Sequence, residues 1–229
     1  MVHFNWTQLF LGHDMMAIAI ATAAIAGVVM IAMSLSARVA LGKNDAAVMP
    51  TDKFSLRGIF EVLTEFITNL TTLVVGEHGR HFAPMFAAIF LYIFFNNFFG
   101  LIPGMTPATE NINTNLAAGL FVFVAYNYYG FKEHGISYIK QFMGPIILLA
   151  PLMLVVELIS HIVRPFSLAI RLQANMIGDH AVLGIFIDLV PYVVPVAFYL
   201  LGLFVCFMQA FVFTMLSMIY ISMAISHDH

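Results

Sequence analysis

Between residues 157 and 180 the chain sets ionisable and amide side chains into an otherwise apolar run. Glu157, His161, Arg164, Arg171, Asn175 and Asp179 follow one another at steps of 4, 3, 7, 4 and 4 residues, and His180 comes next. In a helix those steps keep the six near one face, with Leu, Ile, Val, Ala and Met opposite. At about 1.5 Å per residue, Glu157 and Asp179 are roughly 33 Å apart along the axis, about one hydrocarbon thickness. An ionised group at membrane depth costs at least ~2.5 kcal/mol, so a span that keeps several of them is using them.

The chemistry follows from the residue types. The Arg171 guanidinium stays protonated at physiological pH; it relays no proton, but it attracts a carboxylate and repels cations. Glu157, His161, Asp179 and His180 exchange protons. Glu157, Ser160 and His161 lie toward one membrane surface, and Asp179 and His180 toward the other. Protonatable groups thus flank a permanent positive charge and define two access routes that do not join. A mobile carboxylate on a partner would load from one route, pass Arg171 as an anion and unload to the other. Asn175 and Gln209 read either as linings of the outer route or as amides bonding between helices. Glu110 reads either as a residue of the outer vestibule or, more simply, as a solvated loop acid. Arg164, beside Pro165, has a competing reading as a charge that snorkels or pairs within a bundle. Arg171 has apolar residues on both sides and no acid nearby in sequence.

Other chemistries find little to stand on. His78, His81 and His134 fall in basic loops and read as solvated. The histidines do not present metal-ligand spacing, and no Gly-rich phosphate loop occurs, so no metal or cofactor is expected. Ser160 and His161 are adjacent, so on a helix they point about 100° apart and form no nucleophile–base pair.

The elements that position these residues are membrane helices. The 229 residues are 62% hydrophobic and 9% charged, against roughly a quarter charged in soluble domains. A net charge of −3 gives no basic footprint for nucleic acid. The single Cys206 makes no internal disulfide. The first apolar segment lacks the basic leader of a secretory signal and reads as a retained span. The expected fold is all-α, one integral membrane unit with spans near 14–37, 84–100, 114–130, 145–179 and 181–225. An amphipathic helix near 55–76 is expected on the membrane surface, with Ile59, Leu63, Phe66, Leu70 and Leu73 against Glu61, Glu65, Thr68 and Asn69. The last two spans exceed the ~20 residues a crossing needs and read as a slanted hairpin. Arg38, Lys43, Lys53, Arg57, Arg80, Lys132 and Lys140 all fall in segments on one side of this arrangement. The N-terminal segment, the 100–114 loop and the 179–191 turn hold no Lys or Arg. That split puts the N-terminus outside and the C-terminus in the cytoplasm.

Three motifs then carry a family resemblance. Arg164-Pro165-Phe166-Ser167-Leu168-Ala169-Ile170-Arg171-Leu172-Gln173-Ala174-Asn175-Met176, Phe94-Phe95-Asn96-Asn97-Phe98-Phe99-Gly100-Leu101-Ile102-Pro103-Gly104 and Gln209-Ala210-Phe211-Val212-Phe213-Thr214 stand in this chain. In pattern and order they resemble subunit a of the F-type ATP synthases, from about residue 76 onward. The resemblance implies that Arg171 is the essential stator arginine. It implies that Asn175, His180 and Gln209 belong to the outer half-channel, and Glu157 and Ser160 to the inner one. The implied partners are a ring of c subunits, facing the tilted hairpin, and b-type peripheral stalk subunits. The implied ion is H⁺, with Na⁺ left open, and the implied site is a bacterial inner membrane. The chain departs from the family in one respect: the last-helix position that usually pairs with residue 180 is Gly202 here, and Asp179 is the expected substitute. The alternative function is a secondary transporter with a buried Arg that binds an anionic substrate. Such transporters often show internal repeats, and none is visible.

Overall fold

The computed structural model describes residues 15–41, 56–102, 104–135, 138, 150–189 and 194–226. The loop lysines Lys43, Lys53 and Lys140, Pro103, Pro191, the start of the fourth expected span and His227–His229 lie outside the described residues. Six α-helices account for most of what is described: α1 Met15–Leu41, α2 Leu56–Val75, α3 Ala83–Gly100, α4 Ile112–His134, α5 Ala150–Leu189 and α6 Val194–Ile225. Short 3-10 turns at Glu77–Phe82 and Ala108–Glu110 lead into α3 and α4. No strand occurs among the described residues.

The burial pattern is that of a protein solvated by lipid. Ile20, Val28, Ile31 and Val39 of α1, Val155, Ile162 and Ile170 of α5, and Leu200, Phe204 and Phe207 of α6 are exposed. Water would not tolerate so large an apolar surface, whereas hydrocarbon does, provided the backbone bonds within its own helices. The core lies between α3, α4, α5 and α6, where Phe86, Phe90 and Ile93 meet Val122, Tyr126, Leu168, Leu172, Phe213 and Ile221. Ile67 of α2 joins the same cluster.

The helices form for ordinary reasons. Pro84 stands in the first turn of α3, where its missing N–H costs nothing. Asn111 caps α4, its side chain accepting from the Asn113 N–H at 3.0 Å. Pro165 is different, because it lies inside α5 and leaves the carbonyl of His161 without its helical donor. The Tyr126 hydroxyl of α4 reaches that carbonyl at 3.5 Å. Gly119 of α4 makes the approach possible: a Cβ there would lie 2.7 Å from the Pro165 carbonyl oxygen. Proline and glycine thus bring α4 against α5 where the polar residues begin.

Two expectations about the elements need adjustment. A helix end near 179 was expected, but α5 runs on to Leu189. Gly178 does not end it, because an isolated glycine weakens a helix without breaking it. Asp179 and His180 therefore stand inside the helix, well before its end. At 40 residues α5 is about 60 Å long, twice a hydrocarbon thickness. The second adjustment concerns which helices suit a crossing. Five are long and apolar enough by length and composition, and they include Arg57–Val75 but not α4. The three Asn and three Tyr of α4 lower its hydropathy. Asn115 and Tyr126 are nonetheless buried against protein rather than exposed, a placement that a crossing helix within a bundle can hold.

Candidate ion path along helix α5

Arg171 is exposed on α5, with Ser167, Ile170, Ala174, Ile177 and Gly178 exposed around it. It forms no hydrogen bond or ion pair with any described residue. Two turns earlier Arg164 is half-buried. Its Nη2 lies 3.4 Å from Glu157 Oε1, and its guanidinium stands over the Tyr220 ring of α6 at 5.3 Å.

The six-residue stripe does not stay on one face. The ten residues from His161 to Arg171 rotate about 80° short of whole turns, since each residue adds about 100°. His161 consequently turns inward and Arg171 outward. His161 is buried, with Nε2 3.0 Å from Asn127 Oδ1 of α4, and its ring packs edge-on against Tyr126 and Phe123. Asn127 donates its amide to the Phe123 carbonyl at 2.7 Å, so its oxygen faces the ring and Nε2 carries the hydrogen. Ser160 is exposed on the outward side of α5, and Glu157 is half-buried.

On the other half of α5 a second group assembles. His180 Nε2 lies 3.0 Å from the Gly100 carbonyl at the end of α3. Its Nδ1 lies 3.8 Å from Glu110 Oε2, in the turn before α4. Gln173, seven residues before His180 and hence on the same face, donates to the Glu110 carbonyl at 3.2 Å. Gly100 must be glycine for this contact, since a Cβ would stand 2.9 Å from His180 Nε2 and 2.8 Å from Pro107. An open cavity of about 240 Å³ adjoins the group, lined by Glu110, Asn111, Thr106 and Gln173 with Met15 and Pro107.

Buried polar atoms gather at the same end. Asn96 Oδ1, both amide atoms of Asn97, Thr109 Oγ1 and Asn115 Oδ1 have no partner among the described residues. An unpaired buried polar atom costs about 1–3 kcal/mol, and such atoms are the ones that internal water satisfies. Asn175, Asp179 and Gln209 are half-buried and form no hydrogen bond or ion pair with a described residue. Gly202 is buried, and a Cβ on it would lie 2.6 Å from the Leu101 side chain.

The structure thus joins Glu110 to His180, Glu157 to Arg164, and His161 to Asn127. It gives Asp179 no ion pair with His180. Gln173, Asn127, Tyr220 and the Gly100 carbonyl were not singled out in the sequence. The i, i+7 relation of Gln173 to His180 was the one available signal.

Long apolar helices, with an exposed cation on an apolar helix face that no described residue pairs and polar groups above and below it, define a helical membrane protein equipped to handle ions. The family described as "ATP synthase A chain" matches residues 15–222. A protein of Bdellovibrio bacteriovorus named ATP synthase subunit a is 57% identical over 227 residues, covering 99% of each chain. ATP synthase subunit a 1 of Pelobacter propionicus is 45% identical over 174 residues, 76% of each chain. ATP synthase subunit a of a Sulfurihydrogenibium species is 43% identical over 172 residues, 75% of this chain and 83% of its own. This chain belongs to the ATP synthase A chain family: it is an integral membrane, non-catalytic subunit that serves ion translocation in ATP synthesis. The comparisons lend nothing to the secondary-transporter alternative.

Proposed function

We propose that the chain carries protons along two offset half-channels separated by Arg171, and that it does so against a rotating ring of c subunits. The observation that carries this reading is the exposed, unpaired guanidinium of Arg171 on an apolar helix face. A charge left at the lipid costs several kcal/mol, whereas an opposing carboxylate on a partner removes that cost. Asn175, Asp179, His180, Gln209 and Glu110 form the outer route. Glu157, Ser160 and His161 belong to the inner one, with Arg164 as a secondary charge held by Glu157 and Tyr220. A ring carboxylate is neutral while it travels through lipid. It releases its proton to one route beside Arg171 and takes another from the opposite route. Each charge crossing 100 mV yields about 2.3 kcal/mol, so several crossings are needed for each ATP.

On this reading five helices cross the membrane, with α2 along the surface and α5 and α6 slanted against the ring. The protein lies in a bacterial inner membrane, with its N-terminus outside and its C-terminus in the cytoplasm, and b-type stalk subunits hold it against rotation. The test is ATP synthesis driven by an imposed ΔpH in inverted vesicles, with and without Na⁺. Synthesis that needs no Na⁺ and vanishes in Arg171→Ala supports the reading. Synthesis that survives in Arg171→Ala removes it.

A further inference from the structure

Pro165 divides helix α5 into two limbs that the bundle holds in different ways. Beyond the proline, Leu168, Ala169, Leu172 and Met176 are buried at helical spacing, so a continuous apolar stripe fixes the outer limb. Before the proline that stripe ends. From Leu152 to Val163, His161 is the one buried residue and Glu157 the one half-buried. Leu152, Val155, Val156, Leu158, Ile159 and Val163 are all exposed. The inner limb carries Glu157 and Ser160, and it enters the bundle at an imidazole. The Glu157–Arg164 pair lies within α5 and ties the limb to its own helix. Arg164 meets Tyr220 beside the proline, at the junction of the two limbs.

The contact made at that imidazole is directional. Asn127 Nδ2 donates to the Phe123 carbonyl at 2.7 Å, which turns the amide oxygen toward α5, and His161 Nε2 donates to that oxygen at 3.0 Å. Phe123 and Tyr126 stand edge-on to the ring, with centroids 5.4 and 4.9 Å away. An apolar contact tolerates sliding, whereas a buried hydrogen bond holds one geometry, because stranding either group costs its desolvation. Pro165 makes this hold matter. It leaves the His161 carbonyl without a helical donor, so the join between the limbs is softer than the rest of α5. The Tyr126 hydroxyl lies 3.5 Å from that carbonyl, long for a hydrogen bond, and stiffens the join little.

We infer that Asn127 and His161 form a latch between α4 and α5 that sets the angle of the inner limb, with Asn127 as a positioning residue for Glu157 and Ser160. His161 serves the inner route by placing the limb, its Nε2 hydrogen committed to Asn127. With the latch closed, a ring carboxylate meets Glu157 and Ser160 at a fixed distance. With it open, the limb swings about Pro165 and that distance varies. A displacement of about 1 Å is enough to cost a large factor in rate. The effect on proton transfer rests on the half-channel reading above; the latch itself does not.

The test uses the complete synthase in vesicles, with its native cysteines replaced. Spin labels at Val155 and Tyr128, both exposed, report the inner limb against α4, and labels at Ile177 and Leu120 report the outer limb. Both distance distributions should be narrow in the parent. Leucine has the branched shape of asparagine but offers no acceptor. Asn127→Leu should broaden the inner distribution, leave the outer one unchanged, and lower proton-driven synthesis per assembled complex at least about fivefold. His161→Leu should do the same. His161→Gln places an amide donor near the position of Nε2 and should keep the narrow distribution and most of the rate, a rescue that packing alone would not give. The double variant Asn127→Leu/His161→Leu should be no slower than the slower single one, because the two residues act as a unit. An unchanged inner distribution in Asn127→Leu overturns the inference, as does equal broadening of both pairs or a wild-type rate with the inner pair broadened. If Asn127→Leu does not assemble, the His161 variants decide. A narrow inner distribution in His161→Gln with a broad one in His161→Leu supports the latch, and like distributions overturn it. Arg171→Ala, run alongside, separates the two failures: if it makes ATP while Asn127→Leu broadens the inner pair, the half-channel reading is lost and the latch stands.

Discussion

Helix α5 carries two arginines seven residues apart, and the fold treats them in opposite ways. Arg164 is half-buried, paired with Glu157 and laid over an aromatic ring. Arg171 is exposed and meets nothing charged among the described residues. The same side chain is therefore satisfied within the protein at one site and kept available at the other. The first arrangement stabilises a helix contact; the second is useful only if a partner supplies the countercharge. On the proposed function, the charge that no described residue pairs is the one that a ring carboxylate would meet.

The contrast breaks most sharply at Arg171. Arg171→Ala should reduce proton-driven ATP synthesis to below about a hundredth, the scale seen when a preorganised electrostatic group is lost. The assembled complex should remain intact, because the side chain forms no hydrogen bond or ion pair with a described residue. Arg171→Lys keeps the charge but replaces a planar fork with a compact ammonium, and should still lose most of the rate. Synthesis in vesicles reads both.

The next effect concerns how α4 is held against α5. Gly119→Leu places side-chain atoms where a bare Cβ already comes within 2.7 Å of the Pro165 carbonyl. Overpacking of that kind costs about 1–3 kcal/mol. It should lower the yield and melting temperature of the purified complex more than its activity per assembled unit.

The smallest effect belongs to the satisfied arginine. The Glu157 side chain is 43% exposed, so its pair with Arg164 is worth little after screening. Arg164→Gln should cost about 1 kcal/mol or less of stability, with the lost cation–π contact included. Proton-driven synthesis should stay within about threefold of wild type, since among the described residues the group pairs with no acid beyond Glu157. A loss at Arg164 as deep as that at Arg171 would erase the distinction drawn between them.

Much of this is legible in the sequence. Charges within an apolar run marked α5, and the spacing of Glu157 through Asp179 put them near one stripe. The step count did not reveal that the stripe slowly winds around the helix, so that His161 enters the core while Arg171 leaves it. Ten residues are not a whole number of turns. The end of α5 was misplaced because Gly178-Asp179-His180 has the composition of a terminus, while the continuing contact with α3 at Gly100 is a tertiary fact. Glu110 read more simply as a solvated acid because its partner lies seventy residues away in sequence. Asp179 was the nearer acid on paper, yet adjacent residues on a helix diverge by about 100° and share no face. Only packing could set Glu110 3.8 Å from His180.

The most direct measurement places a photo-activated cross-linker at Ala174 and Gly178, on the exposed face beside Arg171, and at Val28, on the exposed face of α1. The complex is illuminated and the captured chains are identified by mass. Capture of a small, carboxylate-bearing ring subunit from 174 and 178, and of lipid alone from 28, is the predicted result. Lipid alone from 174 and 178 in an active complex would contradict it, because Arg171 would then have no acid to meet.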